Sequence, residues 1–191
     1  MATHTVITAG KKNQSPKKIR IQGHVRYQGD SSKMLILAVD PGANGTGWAL
    51  LNSGDGRLIE WGTIHGQSSE WDRKSIQILV QYEKLLGKHY IGQVFMESPV
   101  FMRGYGGYTT ASTGDLVKLA MLCGAMFFMS SRIHGTVLVP PSSWKGQLPK
   151  KVCNNRVLKI LQAQSTYQPL GRISNHALDA IGIGLWALGR F

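Results

Sequence analysis

Met34-Leu35-Ile36-Leu37-Ala38-Val39-Asp40-Pro41-Gly42, with Gly45-Thr46-Gly47-Trp48-Ala49-Leu50-Leu51 close behind, decides the fold. Six apolar residues in a row that stop at an acid and a Pro-Gly turn read as a buried central strand with a carboxylate at its end. The glycine-rich segment then starts a second strand. A third, Arg57-Leu58-Ile59-Glu60-Trp61-Gly62-Thr63-Ile64, follows the turn-forming run Asn52-Ser53-Gly54-Asp55-Gly56. Together these segments predict an antiparallel three-strand meander.

Downstream the period lengthens. Ile76, Leu79, Val80, Leu85 and Leu86 recur at helical spacing through 70–87, with Gly87 as the expected stop. Ile91-Gly92-Gln93-Val94-Phe95-Met96 reads as another strand, and it too ends in an acid, Glu97. After a Gly/Tyr-rich loop (99–111), Ser112 and Asp115 have capping-box spacing before a long apolar helix through Ser131. In that helix Leu116, Leu119, Ala120, Cys123, Phe127 and Phe128 are expected in the core or at a dimer interface. Thr136–Val139 forms a fifth strand before Pro140-Pro141, residues 150–164 an amphipathic helix, and Ser174 to Leu188 the last helix. The order β-β-β-α-β-α-β-α-α predicts an α/β fold: a five-stranded mixed sheet, meander plus two parallel strands, flanked by helices.

At 191 residues the chain fits one domain with a tail. Residues 1–33 carry seven Lys or Arg against the single acid Asp30 and little apolar periodicity, so they read as a basic, disordered arm ahead of a domain spanning 34–191. Such an arm could be a DNA tether or a solvated tail. Across the chain 22 Lys+Arg face 10 Asp+Glu, a net +12, which points to a polyanionic partner such as nucleic acid. Cys123 and Cys153 lack the paired spacing of a zinc site or a disulfide framework. Neither a long apolar run nor an apolar leader is present, so no membrane partner is expected. A soluble protein of a bacterial or phage-infected cytoplasm is expected, and the basic, acid-poor arm leaves an organellar address open.

Four residues stand out by placement: Asp40 and Glu97 at strand ends, and His176 with Asp179 near the start of the last helix. Acids at the ends of adjacent parallel strands lie about 4.8 Å apart and can share one ion. Residues three apart on a helix share a face, so His176 and Asp179 can complete that site. Hard oxygen donors favour Mg²⁺, with Mn²⁺ able to substitute because it also tolerates imidazole. Phosphodiester hydrolysis uses such a cluster to activate water and to neutralise the leaving oxygen, with two ions about 3.5–4 Å apart. Each acid alone has a plainer reading: Asp40 as a turn residue, Glu97 as a solvated strand end, Asp179 as an acid favoured by the helix dipole.

Ile36 through Gly42 followed by Gly45-Thr46-Gly47-Trp48-Ala49 resembles the first strand and hairpin of the RuvC family of Holliday-junction resolvases. Val94-Phe95-Met96-Glu97-Ser98-Pro99-Val100-Phe101 is similar to the second motif of that family, and His176-Ala177-Leu178-Asp179-Ala180 to its third. The resemblance runs over 34–191 and implies an RNase H-like fold. It further implies a homodimeric, metal-dependent endonuclease that nicks branched DNA, leaving 5′-phosphate and 3′-hydroxyl ends and using no small-molecule cofactor. Asp40, Glu97, His176 and Asp179 would hold two Mg²⁺ ions, Asp40 bridging both. Ser98-Pro99 and the basic arm depart from the family pattern and bear on which DNA structure is preferred.

Two segments are expected to hold DNA. In Trp144-Lys145-Gly146-Gln147-Leu148-Pro149-Lys150-Lys151, Lys145 would stabilise charge at the scissile phosphate, while Trp144, Lys150, Lys151 and Arg156 contact the strand. Phage members of the family present lysines in a similar segment. In the loop after Glu97, Phe101, Arg103, Tyr105 and Tyr108 could stack on or pair with bases and phosphates at a branch point. The competing readings are a nuclease of RNA–DNA hybrids or flaps, a junction-binding protein that does not cut, and an ATPase with an Asp-x-Gly hairpin. The last normally needs two such domains, more than this length allows.

Overall fold

A computed structural model describes residues 34–100, 114–164 and 173–191. The basic arm at 1–33, the loop residues Phe101, Arg103, Tyr105 and Tyr108, and Ser112 lie outside the described residues. Five strands, β1 (Leu35–Asp40), β2 (Thr46–Asn52), β3 (Leu58–Ile64), β4 (Ile91–Glu97) and β5 (Gly135–Val139), form one sheet in the order β3-β2-β1-β4-β5. β1 pairs antiparallel with β2 and β2 with β3, whereas β4 and β5 run parallel to β1. This is the meander plus two parallel strands that the sequence predicts.

Among the described residues five helices flank the sheet: α1 (Trp71–Lys88), α2 (Asp115–Ser131), α3 (Pro141–Trp144), α4 (Lys150–Gln162) and α5 (Asn175–Ala187). Strand alternation divides the core. Leu37, Val39 and Leu50 point to α1 and α2, while Ile36, Ala38, Ala49 and Leu51 point to the layer of α3, α4 and α5. β1 is buried along nearly its whole length because both faces are covered, which is why its sequence is continuously apolar rather than alternating.

Several details depart from the sequence reading. α1 buries Ile78, Tyr82, Leu85 and Leu86, leaving Ile76 and Val80 exposed, because the core stripe follows i, i+4, i+7 from Ile78. It runs one residue beyond Gly87. α2 opens at Asp115 itself, with Gly114 as the cap in the left-handed region, so Asp115 is not the third residue of a capping box. Its buried residues are Leu122, Cys123, Met126 and Ser130; Phe128 is exposed. α3 stands where the sequence reads as a plain connection, and Pro at its first position starts a single turn. Among the described residues no helix is long and apolar enough to cross a membrane.

Candidate active site at the ends of two parallel strands

β1 and β4 pair in parallel through Val39↔Met96, so Asp40 and Glu97 are the next residues on neighbouring strands. Parity does the rest. Asp40 follows Ile36 and Ala38, and Glu97 follows Phe95, on the sheet face that packs the α3–α5 layer. Both carboxylates therefore emerge under the start of α5.

α5 can lie this close because of one residue on β2. Gly47 pairs with Asp40 across the β1–β2 ladder, and a Cβ added to it would fall on the carbonyl of His176. Any side chain there would lift the helix from the sheet. The helix start is fixed independently by Ser174, whose hydroxyl accepts a hydrogen bond from the Ala177 amide. Nearly all of α5 from Ala177 to Leu185 is buried, as expected for a helix that is apolar all round. The Asp40-Pro41-Gly42 turn is tied down by Thr46, whose buried hydroxyl lies 3.3 Å from both the amide and the carbonyl of Gly42.

The charged groups interlock. His176 Nδ1 lies 2.7 Å from Asp40 Oδ2. Lys150 Nζ donates to Asp179 Oδ2 at 2.8 Å. Trp144 Nε1 donates to Glu97 Oε2 at 2.6 Å, and Lys145 Nζ stands 3.4 Å from the same oxygen. Asp40 and Asp179 are only 7% and 6% exposed. Burial pushes the Asp40 carboxyl above its ordinary value, and the charge of Asp179 adds to the rise. Burial likewise raises Glu97, helped by the charge of Asp40. His176 is raised, chiefly by its hydrogen bond to Asp40. Burial lowers the Lys150 ammonium, but the hydrogen bond to Asp179 and the charges of Asp179, Asp40 and Glu97 outweigh it and leave the group above its ordinary value. Asp40 from β1 thus stands within reach of the charges of Glu97 from β4 and Asp179 from α5, and two lysines and a histidine pair with the three carboxylates.

The donors suit a hard divalent cation, since an ion would offset the burial and, secondarily, the neighbouring negative charge that raise Asp40 and Glu97. Among the described residues, no three His, Cys, Asp or Glu side chains are already gathered as a metal cage. Asp40 pairs with His176, Glu97 with Trp144 and Asp179 with Lys150.

Of the residues singled out from the sequence, the structure sets His176 against Asp40 and Lys145 against Glu97, with Asp179 near enough for its charge to act on Asp40. Lys150, expected only to grip DNA, joins them through Asp179. Lys151 and Arg156 are exposed on α4, the Arg156 guanidinium lying over the Phe191 ring at 4.9 Å. Trp144 is corrected: it is 4% exposed and turned inward to Glu97, so its ring is not a surface for DNA. Sequence reasoning missed that bond, although a tryptophan one turn after a helix-starting proline was the available signal.

No protein-family model matches the chain. Over 104 residues it is 29% identical to the crossover junction endodeoxyribonuclease RuvC of a Nitratiruptor species, an alignment covering 53% of this chain and 61% of that protein. The chain thus spans less than two thirds of the length of the curated relative it matches. Among solved structures it is similar to T. thermophilus RuvC in complex with a Holliday junction substrate, with 16% identity, TM-score 0.59, and coverage of 82% of this chain and 97% of that one. Another Thermus thermophilus RuvC structure gives 19% identity and TM-score 0.57, covering 82% and 98%. The yeast mitochondrial Holliday junction resolvase gives 15% and 0.51, covering 83% and 82%. The chain therefore resembles the RuvC Holliday-junction resolvases in sequence and shares their RNase H-like fold.

Proposed function

We propose that this protein is a structure-specific endonuclease that resolves four-way DNA junctions by metal-dependent phosphodiester hydrolysis. The observation that carries the reading is geometric: adjacent parallel strands end in Asp40 and Glu97 with α5 above them, where Asp40 meets His176, Glu97 meets Lys145 and Asp179 meets Lys150. A module that only bound DNA would gain nothing from acids beside phosphates, which repel them.

Asp40, Glu97, His176 and Asp179 would hold two Mg²⁺ ions per site, or Mn²⁺ in their place. The ions supply Lewis acidity at the scissile phosphate when bound. Lys145 sits beside Glu97, where an ammonium can stabilise charge developing on that phosphate. Lys150, Lys151 and Arg156 offer cations to the backbone on either side, in keeping with a net charge of +12. Phe101, Arg103, Tyr105 and Tyr108, a few residues beyond Glu97 in the chain, would meet bases unpaired at the branch point. Two nicks of matched polarity require two sites related by a two-fold axis, so the acting species is a homodimer. The products carry 5′-phosphate and 3′-hydroxyl ends.

The test compares wild type and Asp40→Asn on a synthetic four-way junction, a flap and an RNA–DNA hybrid, with Mg²⁺ at one salt concentration. Paired nicking of the junction by wild type, lost in the variant, supports the reading. Faster cleavage of the hybrid or flap transfers the chemistry to another substrate, and tight junction binding with no cleavage makes the chain a binding module.

A further inference from the structure

The single turn α3 places one side chain with unusual firmness. Pro140 ends the extended path of β5, Pro141 is buried, and the Ser143 and Lys145 amides close back on the carbonyls of Pro140 and Pro141. Trp144 is thereby swung onto α5, where its ring packs on Gly182; a Cβ at that position would lie 2.6 Å from the indole. Phe191 meets the ring edge-on at 5.7 Å, and the Lys145 ammonium lies 4.9 Å from its centroid. The ring is held among these neighbours, the residue being 4% exposed. Its one polar atom, Nε1, is aimed at Glu97 Oε2 at 2.6 Å.

An indole N–H differs from the lysine beside it. It carries no charge, donates one hydrogen in a direction fixed by the ring, and cannot follow a phosphate as a flexible ammonium can. Lys145, at 3.4–3.5 Å from both Glu97 oxygens, neutralises the carboxylate without defining its rotation. From this division we infer that Trp144 is a positioning residue: through Nε1 it fixes the rotamer of Glu97 so that the carboxylate meets a divalent ion in one orientation. The inference rests on the nuclease reading of the site. It assigns to Trp144 an outer-shell role, of the kind whose loss weakens metal affinity by about 10–100-fold.

Trp144→Phe keeps the ring packing and deletes the N–H. Titrating Mn²⁺ into the full chain by calorimetry, the variant is expected to bind about tenfold or more weakly, with kcat on the junction reduced and KM for the junction little changed. A residue that only fills space would leave Mn²⁺ affinity at the wild-type value once the fold is intact, and that result overturns the inference alone. If wild type itself binds no Mn²⁺, the nuclease reading falls and takes this inference with it. A second measurement does not depend on the variant folding. Among the five indole N–H signals in ¹⁵N spectra of the full chain, one is expected to lie downfield, shift on adding Mg²⁺, and lose both features in Glu97→Gln. If no indole signal responds to Glu97→Gln, Trp144 does not hold that carboxylate.

Discussion

Glu60 and Asp40 are both carboxylates with a histidine at hydrogen-bond distance, yet their environments drive them in opposite directions. Glu60, on β3, accepts from Lys88 at 2.7 Å and lies 3.0 Å from His89 Nε2 at a solvent-facing edge. The Lys88 hydrogen bond holds its carboxyl below the ordinary value. Asp40 has His176 at 2.7 Å, but burial and the charge of Asp179 lift it above its ordinary value. An exposed carboxylate with ample cations is a surface ion pair. A buried one, close to a second acid, pays for its charge in lost hydration, and a divalent cation at that point would offset the cost.

The sharpest way to break the comparison is to neutralise one acid in each cluster. Asp179→Asn or Glu97→Gln should lower junction nicking by about a thousandfold, equivalent to about 4 kcal/mol of barrier, because metal assistance stabilises transition-state charge by several kcal/mol. Glu60→Gln should leave the nicking rate within about twofold. Equal losses from Glu60→Gln and Asp179→Asn in a gel assay would show that the two clusters do not differ in kind.

Next in size is the backbone approach that brings α5 to β1. Gly47→Ala should destabilise the fold by roughly 1–3 kcal/mol, since its Cβ would fall on the His176 carbonyl, and cleavage should fall with it. Denaturant unfolding measures the first effect. An unchanged midpoint would mean that α5 does not need this close contact.

The pH dependence of stability separates the clusters by sign. His176 is raised above 6.5, so the native state holds its proton at pH values where the unfolded chain has lost it. Its stabilising contribution is complete below 6.5 and is lost as pH climbs through the raised value. Melting temperatures without divalent ions should therefore decline as pH rises above 6.5, and His176→Gln should remove that decline. Glu60 works the other way: lowered below 4.5, its contribution is present above that pH and disappears as pH falls through the lowered value. The smallest expected effect is on stability in Glu60→Gln near neutral pH. For an ion pair this exposed a change under about 1 kcal/mol is expected.

Most of the architecture was legible because it depends on local patterning. A continuous apolar run marked β1, the Val94-Phe95-Met96 stretch ending in Glu97 marked β4, turn residues separated β2 from β3, and Ser174 announced α5. On α1, Leu85 and Leu86 enter the core and Leu79 packs against it as the spacing implies, while Ile76 and Val80 stay exposed, because they are as apolar as Ile78 and only the tertiary partner decides which stripe is covered. Asp40, Glu97, His176 and Asp179 stood out as candidates because strand ends and an i, i+3 pair have fixed geometry, and the family resemblance joined them into one set. The inward turn of Trp144 was not legible, because it depends on the open space beside Gly182, far away along the chain. The Lys150–Asp179 bridge was hidden for the same reason: it joins α4 to α5, whose relative placement no local signal encodes.

Anomalous diffraction from crystals soaked in Mn²⁺ tests the central claim most directly. The account predicts density for the ion among Asp40, Glu97 and Asp179, with the Lys150 ammonium displaced from Asp179. Manganese bound only at surface acids such as Glu60, with Lys150 still on Asp179, would contradict it.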